Sequence, residues 1–227
     1  MTRTRIAFAL SLTLAAASLP AFAQDSIDKV NGSITAEASQ TYGDLSTVNG
    51  SIRIEDNARA DEAETVNGSI HAGDNVRVRS LTTVNGGIRI GTQGQIDDGI
   101  ETVNGGIYVD RGGKVGDDIA TVNGAIGLVD SDLGGGIETV NGDVTVGAGS
   151  HVHGGIHVEK PGQGWLNSSK RKPPRIVVGP NAQVDGPLIF EREVVLYVHR
   201  TAKVGRISGA TPIAFEGDRA PDESRRD

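Results

Sequence analysis

Apolar side chains along this chain recur in short alternating pairs rather than in helical stripes. Ile34-Thr35-Ala36, Ile52-Arg53-Ile54, Ile70-His71-Ala72, Ile88-Arg89-Ile90 and Ile107-Tyr108-Val109 each set one residue between two aliphatic ones, the period-two signature of a strand with one buried face. Just before each pair stands the phrase Val30-Asn31-Gly32-Ser33-Ile34 or a near copy. It returns from Val48, Val66, Val84, Val103, Val122 and Val140, a near-constant step along the chain. A Gly-rich, β-branched repeat of this length without helical patterning predicts one coil of a parallel β-helix, each coil stacked on the last.

Aligned on the phrase, one coil has its apolar positions at Ile88, Ile90, Ile96, Ile100 and Val103, and the next at Ile107, Val109, Val115, Ile119 and Val122. Three short strands per coil fit this spacing, with Gly91 to Gln95 and Asp97 to Gly99 turning the chain, so an all-β tube of triangular or flattened section is expected. Ala36, Ala60, Ala63 and Ala72 make the first three coils less apolar and predict a thinner tube there. Beyond Val140 the spacing outlives the phrase. Val144, Val146, Val152 and Ile156 match Ile176, Val178, Val184 and Leu188 at an offset of 32, then Leu196, Val198 and Val204 follow at about 20. An offset of 32 is one coil plus an insertion, placed at 159–174. The expected fold is a single-stranded parallel β-helix over 24–207, with about nine coils at a repeat of about 18–20. The lack of a strict six-residue period with small corners points to a right-handed tube. Residues 208–227 are expected to form a cap, with Ile213, Ala214 and Phe215 folded back as a plug, and a mobile polar tail.

A coil cannot fold alone, because its few aliphatic side chains do not offset the entropy of fixing a whole turn of backbone. Stacking also places each outward residue over its equivalent. Ser46, Glu64, Thr82, Glu101, Ala120 and Glu138 form one such file, and Thr35, Arg53, His71, Arg89 and Tyr108 another; charged and neutral residues alternate in the first, and neither sets two fixed charges side by side. Like charges facing each other across strands destabilise, which supports in-register stacking.

The first 23 residues read as an export leader. Arg3 and Arg5 precede the apolar stretch Ile6 to Ala17, and Ala21-Phe22-Ala23 is a small-x-small cleavage site. The mature chain then starts at Gln24, in a periplasmic, secreted or cell-surface location. No other segment has the ~20 apolar residues of a membrane-spanning helix. Cysteine is absent, so stability must come without disulfides. Loss of the leader removes two arginines and no acid, taking the formal charge from −7 to −9 and arguing against a nucleic-acid partner. The six aromatic residues that remain after the leader, Tyr42, Tyr108, Trp165, Phe190, Tyr197 and Phe215, are too few for an ordinary globular core.

The file Asn31, Asn49, Asn67, Asn85, Asn104, Asn123 and Asn141 suits an Asn-Gly turn, with side-chain amides bonded along the tube axis. Thr47, Thr65, Thr83, Thr102, Thr121 and Thr139 form a second file, read as outward. Lacking a second threonine beside each, it does not make an ice-binding face. His151, His153 and His157 share an outward parity that would let them meet at one metal unless Gly154-Gly155 turns the chain between His153 and His157, and Asp97-Asp98 and Asp117-Asp118, one layer apart, would attract calcium, although no calcium-solenoid motif is present. Both sets are read as solvated coil edges, with no metal and no cofactor expected. The insertion carries the only tryptophan, Trp165, and the basic cluster Lys170, Arg171, Lys172 and Arg175 on an acidic chain. It either covers a coil edge or serves as the contact site for a partner. No nucleophile elbow, phosphate loop or zinc-protease motif is present, so no catalytic residue is expected and the protein is read as a non-enzyme.

The phrases Thr-Val-Asn-Gly-Ser-Ile and Thr-Val-Asn-Gly-Gly-Ile, behind an export leader, resemble a bacterial exported adhesin-like family of unknown function built on such β-solenoid repeats. The resemblance covers Val30 to about Val146. The later run Ile176-Val177-Val178-Gly179-Pro180-Asn181-Ala182-Gln183-Val184, with Lys203-Val204-Gly205-Arg206-Ile207, looks like bactofilins, the polymer-forming β-helix scaffolds, although their usual cytoplasmic location differs from the one expected here. These likenesses imply an envelope scaffold or adhesin-like binding module, or a filament former. A polysaccharide-acting β-helix enzyme is the remoter alternative. The partners implied are an envelope polymer, an envelope protein or a further copy of the chain.

Overall fold

The computed structural model describes residues 25–162 and 172–221; the leader 1–23 and Gln24 lie outside the described residues. Every described element is a strand. The strands form two sheets, one of sixteen strands and one of ten, with parallel pairing throughout. The protein is a parallel β-solenoid. The aliphatic pairs build the ten-stranded sheet, which runs in chain order from Ile34–Ala36 through Ile52–Ile54 to Val195–His199 and Ile213–Phe215. The rest of each coil builds the other sheet. Among the described residues no helix is long and apolar enough to cross a membrane.

The tube changes section along its length. Tyr42–Asn49, Arg59–Asn67 and Arg77–Asn85 cross the larger sheet as single strands of 8, 9 and 9 residues. In the next coil that strand is split into Gln95–Ile96 and Ile100–Asn104, and both halves pair with Arg77–Asn85. The register shows why. Arg77 faces Gln95, 18 positions on, whereas Leu81 faces Ile100, 19 positions on. The one extra residue lies in Asp97-Asp98-Gly99 and turns a flat coil into a three-sided one. Ala63 and Ala72 are buried in the flat part, stacked between the larger Leu45 and Leu81 and between Ile54 and Ile90 respectively.

Two expectations are corrected by the strand parity. The threonine file faces inward: Thr47, Thr65, Thr83, Thr102, Thr121 and Thr139 are at most 2% exposed. The valines of the phrase, including Val103 and Val122, face outward and are half-buried, and Val30 at the end is 67% exposed. Burial of a hydroxyl is unfavourable without a partner, and for every member but Thr139, whose Oγ1 has none, the preceding corner supplies one. Thr47, Thr65, Thr83, Thr102 and Thr121 each donate from Oγ1 to the carbonyl oxygen of Gly32, Gly50, Gly68, Gly86 and Gly105 respectively, at 2.8–3.1 Å.

The corner is equally specific for glycine. A Cβ on Gly50, Gly68, Gly86 or Gly105 would collide with the carbonyl of the glycine one rung earlier. Beside it the asparagine amides form an unbroken ladder. Asn49 Nδ2 donates to Asn31 Oδ1, and the pattern repeats through Asn67, Asn85, Asn104, Asn123 and Asn141 at 3.0–3.2 Å.

At the C-terminal end, Ile213–Phe215 does not fold back. It pairs in parallel with Tyr197–His199 as a tenth rung. The residues after it leave the stack and return along the outside of the ten-stranded sheet. There Val177, Tyr197 and Phe215 form a second apolar cluster, with Ala220 packed against it, and Arg175 Nη2 donates to Pro221 O at 3.2 Å. The tail is therefore anchored as far as Pro221; the part beyond it lies outside the described residues.

Gly105→Ala is expected to lower unfolding stability by about 3 kcal/mol, since the displaced atom is backbone and cannot move aside. Gly162→Ala, where nothing lies within 4 Å of the added carbon, should change it by less than about 0.5 kcal/mol. Denaturant titration of the two variants side by side checks this.

Candidate functional site

Repeated residues serve the stack, so chemistry is to be sought where a file departs from its repeat. Three places qualify, and the first is the end of the asparagine ladder. The insertion begins one coil after Asn141, which leaves the last amide oxygen without a successor. Arg192 fills the gap: its Nη1 donates to Asn141 Oδ1 at 2.5 Å and to Val140 O at 2.9 Å. A guanidinium thus closes the acceptor end of the ladder, while the donor end at Asn31 stays exposed. Of the contact residues expected on the insertion, Trp165, Lys170 and Arg171 lie outside the described residues. Lys172 is exposed. Arg175 is used within the fold, its guanidinium 5.0 Å from the centre of the Tyr197 ring and bonded to Pro221.

The second place is a corner of the larger sheet. His151–Val152 pairs with Asp132–Leu133 on one side and Gln183–Val184 on the other, so His151 and His153 point out from one rung between two others. Their ring centres are 3.9 Å apart. His153 Nε2 lies 2.9 Å from Asp132 Oδ1 and His151 Nε2 lies 2.7 Å from Asp185 Oδ2, while His153 Nδ1 is 3.8 Å from that same Asp185 oxygen. Gln183 Nε2 donates to the other Asp185 oxygen at 2.6 Å. That bond and the one to His151 hold the Asp185 carboxyl below the usual carboxylate range. His157 is not part of the group. Gly154-Gly155 turns the chain before it, and its Nε2 sits 3.5 Å from Glu191 Oε1. Asp132 and Asp185 were not singled out from the sequence. The register that brings them in crosses two unequal steps, Asp132 to His151 and then His151 to Gln183 over the insertion, although the alignment of Leu133, Val152 and Val184 would have revealed it.

The acidic pairs do not form a further site. Asp97 is 3.0 Å from Arg77 and Asp98 is 3.6 Å from Arg79, and Asp118 Oδ1 accepts from Gly136 N at 2.5 Å. Arg77 needs such a partner, because Arg59 stands over it in the register.

The third place is the outer face of the ten-stranded sheet. The register confirms the file Thr35, Arg53, His71, Arg89 and Tyr108, and continues it with Gly127 and Thr145. Arg53, His71 and Arg89 are exposed, a basic run on an acidic protein. The Arg89 guanidinium lies 4.8 Å from the centre of the Tyr108 ring. On the next rung Gly127 has no side chain, and with Gly87, Gly106 and Ala125 alongside, a shallow trough of about 580 Å³ opens there.

Compared with protein-family models, with curated proteins and with solved structures, the chain matches none.

Arg192→Ala leaves Val140 O and Asn141 Oδ1 without their charged donor and should cost about 1–3 kcal/mol of unfolding stability, read by denaturant titration. Glu138 supplies a pH test. Burial first, then Asp118, raises its carboxyl pKa above the ordinary value. The fold thus favours the protonated form, so this contribution is complete below about pH 4 and is lost as pH climbs through the raised value. Glu138→Gln should melt above the parent at pH 7, and the difference should vanish below about pH 4.

Proposed function

We propose that the protein is a non-catalytic, exported β-solenoid that serves as an envelope-associated binding scaffold, with the outer face of its ten-stranded sheet as the contact for an anionic envelope polysaccharide. The observation that carries this reading is the file Arg53, His71, Arg89 and Tyr108 on successive rungs, ending at the trough over Gly127. Successive rungs are about 4.8 Å apart, so the file sets the guanidiniums of Arg53 and Arg89 two rungs apart, with the His71 imidazole between them, along the tube axis, an arrangement suited to an extended polymer. Tyr108 adds an amphipathic ring at its end. The likeness of the repeat phrase to exported adhesin-like solenoids points the same way.

The filament reading keeps one observation in its favour. Ile213–Phe215 is the last strand of its sheet, with one edge unpaired among the described residues, and such edges template further pairing.

Co-sedimentation of the purified protein with an anionic polysaccharide isolated from bacterial envelopes tests the proposal. Arg89→Ala with Tyr108→Ala should weaken binding at least tenfold, and Gly127→Leu, which fills the trough, should do the same, with melting temperatures unchanged. Undiminished binding by both variants removes the claim. Light scattering across a concentration series separates the two readings, since a filament former grows with concentration and a binding module does not.

A further inference from the structure

The corner cluster of Asp132, His151, His153 and Asp185 is independent of the trough, which lies on the other sheet. We infer that it is a binding site for a borderline divalent transition metal such as Zn²⁺, with Asp132, His151 and His153 as ligands and Asp185 as the carboxylate that orients the imidazoles.

Asp132, His151 and His153 each bring one donor atom within 4.8 Å of the other two. A tetrahedral ion with ligand bonds of about 2.0–2.1 Å needs its donors roughly 3.3 Å apart, so small side-chain rotations suffice to close the set. The placement comes from rigid structure. His151 stands on a strand and His153 directly follows its end, on either side of buried Val152, and Asp132 is fixed by the strand paired to that of His151. Two imidazoles and one carboxylate favour Zn²⁺, Ni²⁺ or Cu²⁺ over Ca²⁺ and Mg²⁺, which take oxygen ligands almost exclusively.

Asp185 completes the pattern from the following rung. A metal-bound imidazole usually gives its second ring nitrogen to a carboxylate, which fixes its orientation. Asp185 lies against both rings and is itself held by Gln183 Nε2. The files also mark the site as local. Rungs before it carry Gln95 and Lys114 where Asp132 and His151 stand, and the rung after it carries Gln183. His153 and Asp132 are exposed at the corner, which leaves one coordination position open to water or to a ligand atom from a partner.

The test is titration of the purified, chelator-treated protein, carrying no histidine tag, with Zn²⁺ by calorimetry and with Co²⁺ by visible absorption. One ion per chain is expected, with an intense Co²⁺ spectrum characteristic of four-coordination. His151→Ala, His153→Ala and Asp132→Asn should each weaken binding at least a hundredfold. Asp185→Asn should keep the one-to-one stoichiometry and weaken binding ten- to a hundredfold, and His199→Ala, on the other sheet, should leave it unchanged. Because all these side chains lie outside the core, melting temperatures of the metal-free variants should match the parent's. Absence of saturable Zn²⁺ binding, equal binding of Ca²⁺, or binding that survives His153→Ala would overturn the inference.

Discussion

The close approach of successive Asn-Gly corners is the constraint on which the rest of the molecule depends. At this corner the carbonyl of one glycine occupies the space that a Cβ on the next would need, so the coils can sit one strand spacing apart only if the position stays glycine. That same carbonyl then receives the threonine hydroxyl of the following coil, which lets a polar group lie in an aliphatic interior at little cost. The amides alongside bond to one another. One tight turn thereby fixes spacing, register and parity together, and the aliphatic pairs that follow it are delivered to the core in every rung.

With the interior so committed, the outward positions are free to vary, and each variation lands at a known height along the rod. The chain uses this freedom unevenly. On the ten-stranded sheet, basic and aromatic residues occupy consecutive rungs, then give way to Gly127 and, further on, to Val177 and Tyr197 beneath the returning tail. At the opposite corner, a single rung carries two histidines between two rungs that each bring an aspartate. The corners reinforce the distinction, because a side chain there is held by strands on both sides yet remains open to solvent.

Much of this was legible in the sequence, and the failures have physical causes. Ile88-Arg89-Ile90 and its equivalents announced their strand by alternation, and the long offset between Val152 and Val184 located the insertion because both are core residues. Thr102 and Val103 were read the wrong way round because hydropathy assigns valine to the interior; only the nearby glycine carbonyl makes threonine the better inward residue. The lengthening of the repeat by one position was visible, but not that it splits one long strand into two, since that depends on where in the coil the extra residue falls. Arg192 carried no local signal. Its role is set by an interruption of the ladder some fifty positions earlier, and the pairing of Asp132 and Asp185 with the histidines similarly required the register of three rungs at once.

The ladder has a direction as well as a spacing. In both the asparagine and the threonine files, the later residue is the donor and the earlier one the acceptor. A chain emerging N-terminus first therefore meets, at each new turn, acceptors that are already in place, and no bond in these two files waits for residues still to come. Arg192 alone acts as the terminator, arriving after the run is complete to satisfy its last oxygen. The side-chain bonds of these two files can thus form in the order in which the chain is made, whereas the corner backbone bonds, such as Gly50 N to Asn67 O, wait for the next turn.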